Sequence, residues 1–131
     1  MTELIKATSV FIRANTGSEE ALKASDALAN AIDGAISLTS AVSVISSLLG
    51  REFLVRDCVP NGATAFAVNA VRELRKALRA DEPGTAYDIA DILQALPEKV
   101  YLTDKRAVSD FNRTYIAPFN KKHGLKLPLI V

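Results

Sequence analysis

Residues 34–50 read GAISLTSAVSVISSLLG, and this stretch decides the fold class because it carries no charged side chain. A helix on the surface of a globular protein usually keeps a charged face, whereas a helix without charges is covered by its neighbours. The stretch contains five serines and a threonine, and it is shorter than the roughly 20 apolar residues that a membrane span requires. We therefore predict a buried helix over residues 35–49 and no association with a membrane. The alternation of side chains around Ser43 also fits a β-strand, which is the alternative interpretation.

Helical periodicity continues on both sides of this stretch. Apolar residues recur every three or four positions after Glu19, over residues 62–80 and over residues 86–96, which is typical of amphipathic helices. Residues 3–14 and 104–117 fit shorter helices, although SVFIR within the first also fits a strand. The pattern predicts an all-α fold, a compact bundle or array of five to six helices joined by short loops in one domain, 1–131. Three short pieces, 52–57, 99–102 and 125–131, could instead be extended and form a minor β pairing.

Several residues are predicted to mark helix ends. Thr16 followed by Glu19 fits a capping box at a helix start, and Gly34 fits a left-handed helix end. Pro83 followed by glycine reads as a turn between two helices, and Asp88 reads as a capping charge in the first turn of the next. Pro118 is expected to end or kink the last helix, because proline cannot donate the backbone hydrogen bond of a helix interior.

The composition excludes several classes of protein. The 131 residues include 16 basic and 15 acidic side chains, so the net charge by itself indicates no polyanionic partner. One cysteine, Cys58, and one histidine, His123, are too few for a disulfide framework or a zinc cluster, so we predict no metal and no cofactor. A lone cysteine and an N-terminus without a signal-peptide pattern favour the cytoplasm.

No combination of residues in the sequence predicts catalysis. His123 lies in a basic, loop-like stretch and is expected to be a solvated residue at a helix end. Cys58 directly follows an acidic residue and precedes Val59 and Pro60, which do not favour a reactive thiolate, and a small buried apolar role fits it better. Asp88 and Asp91 share one helix face, but capping and solvation explain them without a metal. We therefore expect a protein that is not an enzyme and has no catalytic residues.

The charge-free stretch suggests the function. A helix over 35–49 needs more cover than a small bundle provides, so part of it is expected to contact a protein partner or a second copy of the chain, most simply as a homodimer. The predicted interface consists of Leu38, Val42, Ile45 and Leu49. The first functional hypothesis is a non-catalytic helical protein-interaction or regulatory module.

The alternative hypothesis is a nucleic-acid-binding regulator that uses two basic patches, at residues 72–79 and 105–126. Four basic residues of the first patch are spaced so that they share one helix face, and such stripes can neutralise phosphates. The predicted contact residues are Arg72, Arg75, Lys76, Arg79, Lys105, Arg106 and Arg113.

Overall fold

Helices make up nearly all of the structure, a computed structural model that describes residues 2–58, 65–96 and 105–124. In these residues the sequence prediction of an all-α bundle with five to six helices is confirmed. Five separate helices are followed by a continuous helical rod, called the C-terminal rod below, which consists of α6, a π-helical segment and α7. The bounds are α1 Thr2–Ala14, α2 Glu19–Ile32, α3 Leu38–Leu49, α4 Ala65–Arg79, α5 Pro83–Gln94, α6 Lys105–Phe111, the π-helix Asn112–Ile116 and α7 Ala117–His123.

Four of the helices form a closed ring around the core. α1 contacts α2 and α5, and α4 contacts the same two helices from the opposite side. Each of these helices points its apolar stripe into the ring, where the largest side chains have essentially no exposed surface. They include Leu4, Ile5, Ile12, Leu28, Val71, Leu74, Ile89 and Leu93. α3 lies outside the ring, mainly against α2, and the C-terminal rod lies outside it against α5.

The segment after α3 is not a strand, so the sequence prediction of an extended piece at 52–57 is wrong. Val55–Cys58 forms a single 3₁₀ turn, and Cys58 at its end is buried, as predicted. The backbone amide of Phe53 donates to the hydroxyl of Ser46 at 3.3 Å. Backbone groups here are therefore satisfied by side chains and turns, and the described residues contain no strand for this segment to pair with. The other two pieces, 99–102 and 125–131, lie outside the described residues.

The cap of α2 lies two residues later than the sequence suggested. Ser18 is the N-cap and accepts from the amide of Ala21 at 3.1 Å. Thr16 instead donates its hydroxyl back to the carbonyl of Ile12 at 2.8 Å, so it belongs to the end of α1. The predicted left-handed end at Gly34 is confirmed, with φ +74°.

The two prolines also differ from their predicted roles. Pro83 opens α5 at its first turn, where the missing N–H has no helical partner to lose. The turn before it is made by Asp81, which takes the left-handed conformation with φ +54°. Pro118 does not end the last helix, which continues to His123. The π-helical segment Asn112–Ile116 precedes Pro118 and widens the helix. Proline has no N–H to donate, and in a regular α-helix its ring would clash with the carbonyl four positions earlier, so the wider turn accommodates it.

Candidate functional site

The charge-free helix α3 is covered on one side only. Ala41, Val42 and Ile45 are buried, the last two with exposed fractions of 3% and 0%, while Leu38 and Leu49 are partly buried against the same core. Val42 and Ile45 therefore belong to the core of the subunit and are not accessible to a partner, which corrects two of the four residues in the predicted interface. The physical reason is that α2 covers one face of α3.

The outer face of α3 is the surface that remains accessible. Val44 is 42% exposed, and the neighbouring exposed residues are all small hydroxyl side chains. The outer face consists of Thr39, Ser40, Ser43, Val44 and Ser47. Sequence reasoning missed this face, although its signal was present. Val42, Ile45 and Leu49 are spaced three and four apart and mark the inner side, so the positions between them had to face outward.

Other apolar side chains are exposed on elements that contact α3. Leu54 and Val55, which follow the helix, are 48% and 36% exposed, and Val10 of α1 is 53% exposed. Both α1 and the turn Val55–Cys58 contact α3. Exposed apolar residues are thus present on two elements that contact α3.

The basic stripe of α4 is largely paired with α2. The Nε of Arg72 donates to Asp33 at 2.9 Å, and Arg75 lies 3.0 Å from Asp26. Arg79 contacts the same Asp26 oxygen at 3.1 Å. These carboxylates neutralise most of the stripe within the subunit.

The remaining residues of the predicted nucleic-acid surface are dispersed. Lys76 pairs with Glu73 at 3.2 Å, and Arg113 pairs with Asp110 at 2.7 Å. Arg106 is exposed on α6, and the side chain of Lys105 lies outside what the structure describes. The stripe of α4 and the residues of the C-terminal rod lie on different elements, which meet where Phe66, near the start of α4, packs on Phe111 at the end of α6.

His123 is not solvated, contrary to the sequence prediction. Its side chain is only 14% exposed and bridges the C-terminal rod to α5. Nε2 lies 2.7 Å from Oδ2 of Asp88, and Nδ1 lies 3.3 Å from the hydroxyl of Thr85. The imidazole also packs on the ring of Phe119, with centroids 4.7 Å apart. Sequence spacing could not reveal this cluster, because its members come from two helices more than thirty positions apart.

Asp88 is the centre of this cluster rather than a helix cap. It also accepts a hydrogen bond from Nζ of Lys122 at 2.9 Å. Partial burial acts to raise its pKa, but the hydrogen bonds and charges of Lys122 and His123 outweigh burial and hold the pKa below the ordinary value of 3.8. The carboxylate therefore stays ionised at neutral pH and fixes the orientation of the imidazole.

The cluster contains a hydroxyl, an imidazole and a carboxylate, which are the groups of a nucleophilic site. It borders a cleft of about 400 Å³ that His123, Asp88 and Lys122 help to line. The other lining residues are Thr16, Pro83, Gly84 and Tyr87. Thr85 is not among the residues that line the cleft, and its contact with His123 joins α5 to the C-terminal rod.

Among residues 2–58, 65–96 and 105–124, no three acidic, histidine or cysteine side chains are grouped so that they could hold a metal ion. Over the same part of the chain, every helix is too short or too polar to cross a bilayer. No family model, no curated protein and no solved structure matches the sequence or the fold.

Proposed function

We propose that the protein is a non-catalytic helical module that self-associates through the outer face of α3. The observation that carries this proposal is a helix without charges whose outer side, including the 42% exposed Val44, is left uncovered by the described part of the chain. A solvated helix face normally carries charges that keep it soluble and monomeric. The absence of charged residues over the whole of α3 favours an outer face that another molecule covers when the protein functions.

The absence of charge also favours a second copy as the occupant. When two identical faces meet across a two-fold axis, residues on the axis meet their own symmetry mates and every other contact occurs twice, so a face with charges of one sign would repel its copy. The outer face of α3 contains none. Its hydroxyl residues, Ser40, Ser43 and Ser47, are small and allow the two helices to approach closely.

The size of the face sets the strength of the association. A helix of 12 residues is about 18 Å long. One face of so short a helix buries less than the roughly 800 Å² per partner of a standard interface. Contacts from the neighbouring Val10, Leu54 and Val55 would enlarge it. We therefore expect a weak, micromolar homodimer that concentration and a single interface charge can shift.

The nucleic-acid alternative receives less support. Arg72, Arg75 and Arg79 are paired with carboxylates of α2, and binding to phosphates would have to break these ion pairs. Nucleic acid is accordingly included as one arm of the test.

The test is light scattering coupled to size exclusion over a range of protein concentrations, repeated with duplex DNA at 50 mM salt. We expect a monomer–dimer equilibrium in the micromolar range. Ser47→Glu and Val44→Glu should shift the protein to monomer, since each introduces an unpaired charge into the interface on both copies. Ser109→Glu, the same substitution at an exposed serine of α6, is the matched control and should leave the dimer intact.

Two results would contradict the proposal. One is a monomer for the unsubstituted protein up to high micromolar concentration. The other is a dimer that persists unchanged in both Ser47→Glu and Val44→Glu. Co-elution with DNA by a monomeric protein would favour the nucleic-acid alternative instead.

A further inference from the structure

A groove of about 580 Å³ separates α5 from the C-terminal rod, on elements that do not include α3. Its volume falls in the range of small-molecule sites, which are mostly apolar with a few convergent polar groups. One wall is the α5 side, where Ile92 and Ala95 follow the acidic residues Asp88 and Asp91. The other wall is the rod, which contributes Tyr115, Pro118 and Phe119.

The rod wall is built from an irregular helix. Thr114 and Tyr115 belong to the π-helix Asn112–Ile116, and both line the groove. A π-helical turn is a rare departure from α-helical geometry that is found most often at functional sites. Here it lies beside the groove and ends just before Pro118, so it shapes this wall directly.

The charge of the lining selects the kind of ligand. Asp88 and Asp91 lie one turn apart on α5, and Lys122 is the single cation among the described lining residues, which leaves a formal charge of −1. Asp88 already accepts from Lys122 and His123. Asp91 is more accessible, because its side chain is 44% exposed and its partner Arg13 binds through one oxygen.

The aromatic residue nearest to solvent complements this carboxylate. Tyr115 is 40% exposed while its ring packs on Phe111, with centroids 5.1 Å apart. A ring held in place by a second ring offers a preformed surface for an aromatic body and for a cation. The groove therefore combines a carboxylate that is 44% exposed with an aromatic surface.

We propose that this groove binds a small arylalkyl amine, with its ammonium group at Asp91 and its aromatic body against Tyr115 and Pro118. The ammonium donates to the half-exposed carboxylate of Asp91, beside its contact with Arg13. An anion of the same shape is disfavoured by the two carboxylates, and a neutral isostere loses the charge-assisted hydrogen bond. Dimerisation through α3 is not required, so this inference stands or fails independently of the proposed function.

The test is an NMR or calorimetric titration with 2-phenylethylamine, compared with 2-phenylethanol and 3-phenylpropionate as neutral and anionic controls of similar size. We expect saturable binding of the amine, at least fivefold tighter than binding of the alcohol, and no saturation with the carboxylate. Asp91→Asn and Tyr115→Ala should each weaken amine binding at least fivefold. Asp110→Asn, a carboxylate of α6 that does not line the groove, should leave it unchanged.

Asp91→Asn also removes the partner of Arg13, so circular dichroism is used to verify that the variant is folded. Tyr115→Ala provides the second test at a half-exposed position outside that ion pair. The proposal is overturned if the amine fails to saturate at about 10 mM, if the alcohol or the carboxylate binds as tightly, or if folded Asp91→Asn and Tyr115→Ala bind the amine as well as the unsubstituted protein.

Discussion

Asp81 is the one described residue other than glycine with a positive φ, +54°, and it stands at the C-terminal end of α4. The amide of Glu82 donates to the carbonyl of Ala77 at 2.9 Å, which fixes this left-handed turn. An L-residue pays a steric cost in this conformation that glycine does not. The carboxylate also stands at the negative end of the helix dipole.

We predict that Asp81→Gly stabilises the protein by about 0.5–1 kcal/mol, measured as the free energy of unfolding in urea. Asp81→Ala is the control, because it removes the unfavourable charge but keeps the steric cost. A glycine variant no more stable than the alanine variant would mean that the left-handed backbone conformation at position 81 does not lower the free energy of unfolding.

Asp88 makes stability depend on pH in the acidic range. Its pKa in the folded protein lies below the ordinary value of 3.8, because the hydrogen bonds and charges of Lys122 and His123 outweigh the opposing effect of burial. The stabilisation is therefore complete above the unfolded pKa and is lost as the pH falls through the folded pKa. We predict that Asp88→Asn lowers the free energy of unfolding by about 1 kcal/mol at pH 7, and that this difference shrinks between pH 5 and pH 3. Urea denaturation of both proteins at the three pH values measures it, and a difference that stays constant would contradict the assignment.

At the scale of the elements, α2 and α4 are joined by ion pairs as well as by apolar contact. Asp26 forms ion pairs with both Arg75 and Arg79, and the side chains of Asp26 and Arg75 are only 28% and 24% exposed. Arg75 also donates to the amide oxygen of Asn30 at 3.0 Å. The arginine stripe therefore holds two helices of the ring together.

We predict that Asp26→Asn destabilises the protein by about 1.5 kcal/mol, since two guanidinium groups lose their partner. Lys76→Gln, on the same stripe but paired only within α4 and 74% exposed at its side chain, is the control and should change stability by less than about 0.5 kcal/mol. Equal effects of the two substitutions in thermal or urea denaturation would show that the α2–α4 pairs are no stronger than ordinary surface pairs.

At the scale of the whole molecule, stability is expected to be uneven. The ring of α1, α2, α4 and α5 contains the fully buried side chains, while α3 and the C-terminal rod contact it from outside. Elements with fewer buried contacts open locally at a lower free energy than the core. We predict that hydrogen exchange of monomeric protein is slowest for amides in the middle of α1 and α4, and distinctly faster in α3 and α7. Equal protection across all helices would indicate a single cooperative unit instead.

Much of the fold could be read from the sequence because it depends on local pattern. The periodic stripes of residues 19–32 and 65–79 predicted helices, and Gly34 predicted a helix end, since only three to four neighbouring residues decide each of these features. Local pattern was also misleading where two readings had the same signature. Thr16 and Ser18 are both residue types that cap the start of a helix. Ser18 is the cap of α2 because the hydroxyl of Thr16 is already bonded to a carbonyl at the end of α1.

The candidate sites were less accessible to sequence reasoning, because they depend on which elements meet. The sequence by itself determined the helices and the absence of charge on residues 38–49, since both follow from the order of side chains along the chain. Only the tertiary structure decided which side of α3 is covered, which carboxylates neutralise Arg72 and Arg75, and that His123 meets Asp88 and Thr85. Such contacts join residues thirty or more positions apart, and no periodicity within one helix specifies the partner that another helix brings.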